Sequence, residues 1–213
     1  MIGESELLIN PDGTIFHLHL KPEQIADRII LVGDPGRVKM IAEKFDIVEY
    51  RVENREFITV TGSYRKNRIT VVSTGIGTDN IDIVMNELDA LANIDLQTRE
   101  VKAGHRTLHI VRIGTSGGLQ REIPENSWIV SRKSIGFDGT LAFYANRKNY
   151  CDLAFEDKFR QFMHWPADFP SPYVVNSSEL LYQKFSGAPF IQGVNVSAPG
   201  FYGPQGRSLR LSL

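Results

Sequence analysis

The stretch Leu108-His-Ile-Val-Arg-Ile-Gly-Thr-Ser-Gly-Gly-Leu119 decides the fold. Its apolar residues Ile110, Val111 and Ile113 are β-branched, which predicts a strand that is buried on both faces. Glycines and two hydroxyl residues follow at once, and such a turn offers backbone N–H groups and hydroxyls to an oxyanion such as phosphate. We therefore expect a buried strand that ends at an anion site.

Arg112 interrupts this apolar strand close to its end. A buried guanidinium costs considerable free energy unless an anion compensates its charge. Arg112 therefore either pairs with a carboxylate of the fold or faces a site that binds an anion. The sequence leaves both interpretations open.

Two earlier segments repeat the order of apolar strand, glycine turn and helix. Residues 28–32 lead into Gly33-Asp-Pro-Gly-Arg37, and residues 68–73 lead into Thr74-Gly-Ile-Gly-Thr-Asp-Asn80. The first turn is expected to direct the amides of a helix N-terminus, together with Arg37, at the strand end. It lacks the Gly-Lys-Ser/Thr ending of a P-loop, and Asn80 stands where the dinucleotide fingerprint needs glycine, so neither turn is a standard nucleotide motif.

The alternation of strands and helices predicts the fold class. It favours an α/β protein with a mixed, largely parallel central sheet flanked by helices. We expect a single domain over residues 1–213, because no linker, repeat or low-complexity segment divides the chain. Ligands of open α/β sheets bind at the carboxyl ends of the strands, so the three glycine turns are expected to converge on one anion.

Composition excludes several classes of partner. With 24 basic and 25 acidic residues among 213, the net charge of -1 implies no bulk attraction to nucleic acid or to an anionic membrane. The single cysteine, Cys151, cannot form an internal disulfide. There is no apolar stretch of about 20 residues and no signal peptide pattern at the start. We expect a soluble, cytoplasmic protein.

Histidines provide the one candidate for a metal site. His17 and His19 alternate as they would in a strand, which would place both rings on one face. No third ligand lies within reach in the sequence, and no cysteine pair accompanies the five histidines. We therefore expect no metal site.

Five ordered motifs are recognisable together: Gly33-Asp-Pro-Gly-Arg37, Arg55-Glu-Phe57, Ser73-Thr-Gly-Ile-Gly77, Arg112-Ile-Gly-Thr115 and Phe201-Tyr-Gly-Pro-Gln-Gly-Arg207. From Ile15 onward the chain resembles the nucleoside phosphorylase-I family, and within it the enzymes that act on uridine. The resemblance implies a pentosyltransferase of pyrimidine nucleoside salvage. Its reaction would be the phosphate-dependent cleavage of uridine to uracil and ribose 1-phosphate.

The resemblance also implies roles for individual side chains. The residues that would bind phosphate are Gly33, Arg37, Arg112 and Thr115, with Arg55 contributed by a neighbouring subunit. Arg112 and Thr115 would take part in catalysis. Because the site is shared between subunits, the resemblance implies a homodimer or a higher homo-oligomer.

A second set of residues would hold the nucleoside. Thr115 would contact the ribose, and His17 of the neighbouring subunit would lie near its 5′-hydroxyl. Phe201 would pack on the base, while Gln205 and Arg207 would bind the polar edge of uracil. An arginine side chain only donates hydrogen bonds, so it suits the O4 acceptor of uracil. The amino group at the same position of cytosine is also a donor, so the two groups cannot form a hydrogen bond.

No resident cofactor is implied, since phosphate is the co-substrate. Glu56 matches a position that helps to bind potassium between subunits in some relatives, but Asn80 replaces the serine expected beside it. The family's C-terminal Glu-Met-Glu motif, which binds the ribose hydroxyls, is not found before Leu213. We therefore expect that this sequence lacks the family's C-terminal segment.

Two other functions stay open at this point. A hydrolytic nucleosidase on a related scaffold would use water in place of phosphate, and water needs no arginines such as Arg37 and Arg112 to hold it. A non-catalytic fragment that binds nucleoside or phosphate is compatible with the missing segment.

Overall fold

The computed structural model describes residues 1–211, and Ser212 and Leu213 lie outside the described residues. Contacts divide the chain into two compact units, Met1–Ser116 and a second unit that begins at Gly117. We call them the N-terminal unit and the C-terminal unit. The single domain over residues 1–213 stays a prediction.

The N-terminal unit is built on a five-stranded mixed sheet in the order β2-β3-β4-β1-β7. These strands are β1 (Arg28–Val32), β2 (Ile47–Asn54), β3 (Phe57–Tyr64), β4 (Asn67–Ser73) and β7 (His109–Ile113). Strand β1 pairs in parallel with β4 and with β7, whereas β2, β3 and β4 form an antiparallel meander. A separate short hairpin consists of β5 (Ile94–Asp95) and β6 (Glu100–Val101).

Helices cover both faces of this sheet. Helix α1 spans Pro35–Ala42 and helix α2 spans Thr78–Asn93, and a single 3₁₀ turn occupies Pro22–Gln24. Alternate residues of β1 point to opposite faces, so Ile29 and Leu31 pack in one core cluster with α2 while Val32 packs in another with α1. The prediction of an α/β fold with a mixed sheet flanked by helices is confirmed, with parallel pairing confined in this sheet to β4, β1 and β7.

Strand β7 differs from the prediction. It is the last strand of the sheet, and β1 is its partner on one side only. His109, Arg112 and Ile113 are exposed, and 42% of the surface of Ile113 is accessible to solvent. The prediction of a strand buried on both faces is therefore wrong, because a β-branched run fits the edge of a sheet as well as its centre.

The C-terminal unit contains a three-stranded sheet in the order β10-β8-β9. Its strands are β8 (Trp128–Gly136), β9 (Tyr173–Asn176) and β10 (Phe190–Ser197), and its helices are α3 (Leu153–Phe162) and α4 (Glu179–Phe185). Short 3₁₀ turns occupy Thr140–Phe143, Arg147–Asn149 and Gly203–Gln205. None of the helices in residues 1–211 has both the length and the apolar character needed to cross a bilayer.

Tyr173 and Asp138 form a hydrogen bond beside a glycine in this unit. The Tyr173 hydroxyl donates to Asp138 Oδ2 at 2.9 Å. A Cβ atom on Gly136 would lie 2.1 Å from Tyr173 Cζ, so the ring packs directly on the backbone of β8. Burial, followed by the hydrogen bond to Asp138, raises the pKa of Tyr173 above its ordinary value of 10.0.

This contact predicts a pH dependence of stability. Because the pKa of Tyr173 is higher in the folded state, its contribution is fully present below pH 10 and is lost as the pH rises further. Tyr173→Phe is expected to lower the free energy of unfolding by about 1–2 kcal/mol at pH 7. It should also flatten the decline in stability above about pH 10.

The measurement is urea denaturation at several pH values, followed by tryptophan fluorescence, since Trp128 and Trp165 both lie in the C-terminal unit. Tyr150→Phe serves as the control because Tyr150 is 75% exposed. Equal pH profiles for wild type and Tyr173→Phe would contradict this account.

Candidate functional site

The carboxyl ends of β4, β1 and β7 lie side by side. Val32 pairs in parallel register with Ser73 of β4 and with Ile113 of β7. The three glycine turns of the sequence therefore leave the sheet at one end. Strand β3 runs antiparallel to β4, so the turn of Arg55 and Glu56 that precedes β3 emerges at the same end.

Contacts between the turns show how closely they approach. A Cβ atom on Gly33 would lie 3.6 Å from the Gly75 carbonyl oxygen and 3.7 Å from Arg112 Nη2. A Cβ atom on Gly114 would lie only 2.6 Å from Arg112 Nη1. The guanidinium of Arg112 thus lies against the backbone of two glycines, and any side chain at Gly114 would displace it.

The arginines at this end of the sheet have no carboxylate partners. Among residues 1–211, Arg37, Arg55 and Arg112 form no ion pair, whereas arginines elsewhere in the chain do, including Arg68 and Arg106. Arg37 is half-buried on α1, and Arg112 is exposed. Within the described residues, the interpretation of Arg112 as half of an internal salt bridge is therefore wrong. Because the end of β7 is exposed, water solvates the unpaired Arg112 guanidinium, and the group is available to an anion from outside the fold.

Helix α1 offers fewer free backbone N–H groups to a ligand than the sequence predicts. Pro35 at its first position has no N–H, and the Gly36 amide donates to Asp34 Oδ1 at 2.8 Å. The Arg37 amide donates to the Asp34 carbonyl at 3.1 Å. These first-turn amides are occupied within the fold, so the helix start offers the side chain of Arg37 to a ligand in place of its own amides.

The two threonines of the site differ in burial and in hydrogen bonding. Thr74 is buried, and its amide donates to the Val32 carbonyl at 2.8 Å, which ties the end of β4 to the end of β1. Thr115 is exposed, and its hydroxyl has no hydrogen-bond partner in the part of the chain that the structure describes. Thr115 is therefore available to a ligand, while Thr74 supports the turn.

His17 and His19 do not lie in a strand. Residues 16–18 form a turn, and His19 has a φ of 56°. His17 Nδ1 lies 2.7 Å from Glu87 Oε1, and His19 Nε2 lies 3.3 Å from Asp12 Oδ2. The prediction of two rings on one face is wrong, because each histidine has its own carboxylate partner. Among residues 1–211 there is no group of three or more residues placed to ligate a metal.

His17 and Arg55 belong to one surface of the N-terminal unit. Asn54 Nδ2 donates to the His17 carbonyl at 2.7 Å, and the Arg55 guanidinium carbon lies 6.0 Å from the centre of the Phe16 ring. Strands β3 and β7 are three strand spacings apart, roughly 14 Å at about 4.8 Å each. Arg55 and His17 are thus grouped together at a distance from Arg112, and their role in a neighbouring subunit stays a prediction.

The three residues predicted to bind a base lie together in the C-terminal unit. The Arg207 guanidinium carbon lies 4.1 Å from the centre of the Phe201 ring, and Nη1 donates to the Phe201 carbonyl at 2.8 Å. Nη1 also donates to Gln205 Oε1, and Gln205 Nε2 donates to the Gly200 carbonyl at 3.1 Å. All three residues are exposed, so a flat ring and two polar groups face solvent from one turn.

Sequence reasoning missed Glu87, the residue that holds the His17 turn. The signal was its spacing on α2, three residues after Val84 and four before Leu91, both of which are buried. A carboxylate on that stripe has to be buried with its own donors. Phe16 and Asn54, which also contact this turn, have no comparable signal in the sequence.

Comparison with known proteins gives the family. A profile of the Phosphorylase superfamily matches residues 27–211. The uridine phosphorylase of Treponema pallidum is 34% identical over 130 residues, which are 61% of this chain and 45% of that protein. The DeoD-type purine nucleoside phosphorylase of Clostridium perfringens is 37% identical over 120 residues, which are 55% of this chain and 45% of that protein.

Solved structures agree in fold. A Trypanosoma brucei nucleoside phosphorylase that shows uridine phosphorylase activity is 28% identical with a TM-score of 0.79, over 96% of this chain and 72% of that one. The Toxoplasma gondii purine nucleoside phosphorylase is 22% identical with a TM-score of 0.65, over 100% of this chain and 68% of that one, and shares the fold. The chain spans about half the length of the curated relatives, 45% of each of these two. Because the matching profile covers most of its residues, the chain belongs to the Phosphorylase superfamily.

Proposed function

We propose that the complete protein cleaves nucleosides with inorganic phosphate and that uridine is its preferred substrate. One observation carries this proposal. Arg37, Arg55 and Arg112 emerge at one end of the sheet without a carboxylate partner among residues 1–211. Unpaired guanidiniums beside glycine turns are suited to an oxyanion, and the family supplies phosphate as that oxyanion.

The chemistry needs little covalent participation by the protein. Arg37 and Arg112, with Thr115 beside them, would hold phosphate as the nucleophile against C1′ of the ribose. The dianion would stabilise the positive charge that develops on the sugar as the bond to the base breaks. A hydrolytic nucleosidase is disfavoured, because water as the nucleophile has no use for these guanidiniums.

The cluster around Phe201 supports a pyrimidine base. The ring of Phe201 offers a stacking surface, and Gln205 and Arg207 offer an amide and a guanidinium beside it. The uracil edge presents acceptor, donor and acceptor in order, which an amide and a guanidinium satisfy together. The accepting oxygen of Gln205 has two lone pairs, so its bond to Arg207 leaves one for the N3–H of uracil.

We further propose that the active unit is at least a homodimer. His17 and Arg55 share one surface, which lies about three strands away from Arg112. A second copy of the chain would bring that surface to the phosphate site.

The residues beside Glu56 do not fit the potassium site of some relatives. A Cβ atom on Gly75 would lie 2.9 Å from Asn80 Nδ2 and 2.9 Å from Glu56 Cγ, so these two side chains flank Gly75. Asn80 Nδ2 donates to the Ile76 carbonyl at 3.2 Å. The Nδ2 group of Asn80 is thus bonded within its own turn, and the serine hydroxyl oxygen of those relatives is missing at this position.

A purine nucleoside phosphorylase is the second candidate. The DeoD-type relative of Clostridium perfringens is as similar to this chain as the uridine phosphorylase of Treponema pallidum. The grouping of Phe201, Gln205 and Arg207 in one turn, on which the resemblance to uridine-cleaving enzymes rests, favours uridine.

The deciding experiment measures turnover of uridine, cytidine and inosine by the full-length protein, each with and without phosphate. We expect uridine to be cleaved only with phosphate and to yield ribose 1-phosphate. Cytidine should react roughly 5- to 150-fold more slowly. The amino group of cytosine would leave a donor of Arg207 without a partner, which costs about 1–3 kcal/mol.

Matched variants assign the discrimination to one residue. Arg207→Met should bring the rates for uridine and cytidine together, whereas Arg210→Met, three residues away, should not change their ratio. Cleavage without phosphate would identify a nucleosidase, and faster turnover of inosine would identify a purine enzyme. Binding of uridine without turnover would identify a non-catalytic protein. Each of these results would contradict the proposal.

A further inference from the structure

One largely buried carboxylate holds the turn that carries His17. Glu87 on α2 accepts hydrogen bonds from the backbone amide of His17 at 3.0 and 3.2 Å and from that of Leu18 at 2.8 Å. The same carboxylate lies 2.7 Å from His17 Nδ1. The side chain of Glu87 is only 12% exposed. These N–H groups compensate its charge, since no lysine or arginine pairs with Glu87 among residues 1–211.

This arrangement decides which nitrogen of His17 carries the proton in the neutral ring. An ionised carboxylate can only accept, so Nδ1 has to be the donor. Nε2 then presents a lone pair, and it has no partner in the described part of the chain. The ring keeps 25% of its surface exposed, so it is accessible to a ligand. A lone pair on Nε2 is suited to a hydroxyl donor.

Neighbouring contacts hold the turn from its other side. Asn54 Nδ2 donates to the His17 carbonyl at 2.7 Å, and the His17 ring meets Phe16 edge-on with centroids 4.8 Å apart. The backbone and the ring of His17 are thus restrained by three different residues. Of these, only Glu87 contacts the imidazole nitrogen itself.

We propose that Glu87 is a positioning residue for His17. It fixes the tautomer with a proton on Nδ1, so that Nε2 accepts a hydrogen bond from the 5′-hydroxyl of the nucleoside. The proposal rests on the proposed function, because the nucleoside is the one cleaved there. The tautomer of His17 does not depend on that function, so the tautomer and the proposed function can be tested separately.

The first experiment observes the tautomer directly. Long-range ¹H–¹⁵N correlation spectra of the full-length protein labelled at histidine distinguish a protonated from an unprotonated ring nitrogen, and His17→Asn identifies the His17 signals. In the wild type at a pH where the ring is neutral, we expect protonated Nδ1 and unprotonated Nε2. Glu87→Gln should shift this population towards protonated Nε2.

A matched control is the neighbouring pair of Asp12 and His19. The carboxylate of Asp12 lies 3.3 Å from His19 Nε2, so Asp12→Asn removes a histidine partner without touching His17. Its His17 signals should equal those of the wild type. A wild-type His17 with protonated Nε2, or a Glu87→Gln variant with unchanged His17 signals, would overturn the proposal.

The second experiment tests the contact with the nucleoside. Glu87→Gln should lower kcat/KM for uridine by roughly 10-fold and leave kcat/KM for 5′-deoxyuridine nearly unchanged, because the latter lacks the hydroxyl. An equal loss for both substrates would show a purely structural role and overturn the proposal. If the wild type cleaves neither substrate, the proposed function fails while the tautomer result stands.

A double variant keeps the test valid if Glu87→Gln also weakens the fold. If Glu87 acts through His17, His17→Ala combined with Glu87→Gln should lose no more activity towards uridine than His17→Ala alone. Losses that multiply would mean that Glu87 acts independently of His17, and would overturn the proposal.

Discussion

Arg112→Ala is expected to lower kcat/KM for uridine by about 30- to 900-fold, which corresponds to about 2–4 kcal/mol of transition-state stabilisation. The guanidinium lies against Gly33 and Gly114 at the end of β7 and has no carboxylate partner among residues 1–211. Its loss would remove a charge-assisted contact with phosphate.

The measurement is the initial rate of the full-length protein over a range of phosphate concentrations, where the KM for phosphate should rise. Arg28→Ala is the matched control. Arg28 is also exposed and without a carboxylate partner in residues 1–211, but it lies at the opposite end of β1. A variant at Arg112 that keeps the wild-type rate and phosphate dependence would show that the phosphate lies elsewhere.

Gly62→Ala is expected to lower the free energy of unfolding by about 3 kcal/mol or more. Gly62 lies in β3 opposite Val48 of β2. A Cβ atom there would lie 2.2 Å from the Ile47 carbonyl oxygen and 2.7 Å from Phe45 Cδ2. The clash is with backbone, so the strands themselves would have to separate, which costs more than the displacement of a flexible side chain.

Urea denaturation followed by circular dichroism measures this effect, since both tryptophans lie outside the N-terminal unit. Gly104→Ala is the control, because a Cβ atom on Gly104 would have no heavy atom within 4 Å beyond its chain neighbours. If Gly62→Ala is as stable as Gly104→Ala, strands β2 and β3 are not packed as closely as the structure places them.

The elements that could be predicted are those whose signals are local. Residues 28–42 form strand, glycine turn and helix, because the apolar run, Gly33 and Pro35 act within a few residues of one another. The convergence of the glycine turns follows from parallel pairing of β4, β1 and β7, which the α/β alternation already indicates.

The turn at His17 was not predictable from its own residues. The pattern from Ile15 to Leu20 alternates as a strand would, yet the chain turns there. The cause is Glu87, seventy residues further along, whose carboxylate binds two amides and the ring of this turn. A contact over that separation exists only after α2 has packed against the sheet.

What the sequence by itself determined is the order of the strands and turns and the chemistry of the side chains at their ends. Only the tertiary structure decided which of those side chains have partners. Arg68 and Arg106 bind carboxylates and backbone carbonyls of the N-terminal unit, while Arg112 has no ion pair among residues 1–211. All three are arginines close to a strand terminus, Arg68 at the start of β4, Arg106 just before β7 and Arg112 at the carboxyl end of β7. Their difference arises because ion pairing depends on which groups the packed chain brings within about 4 Å, and local sequence does not encode that distance.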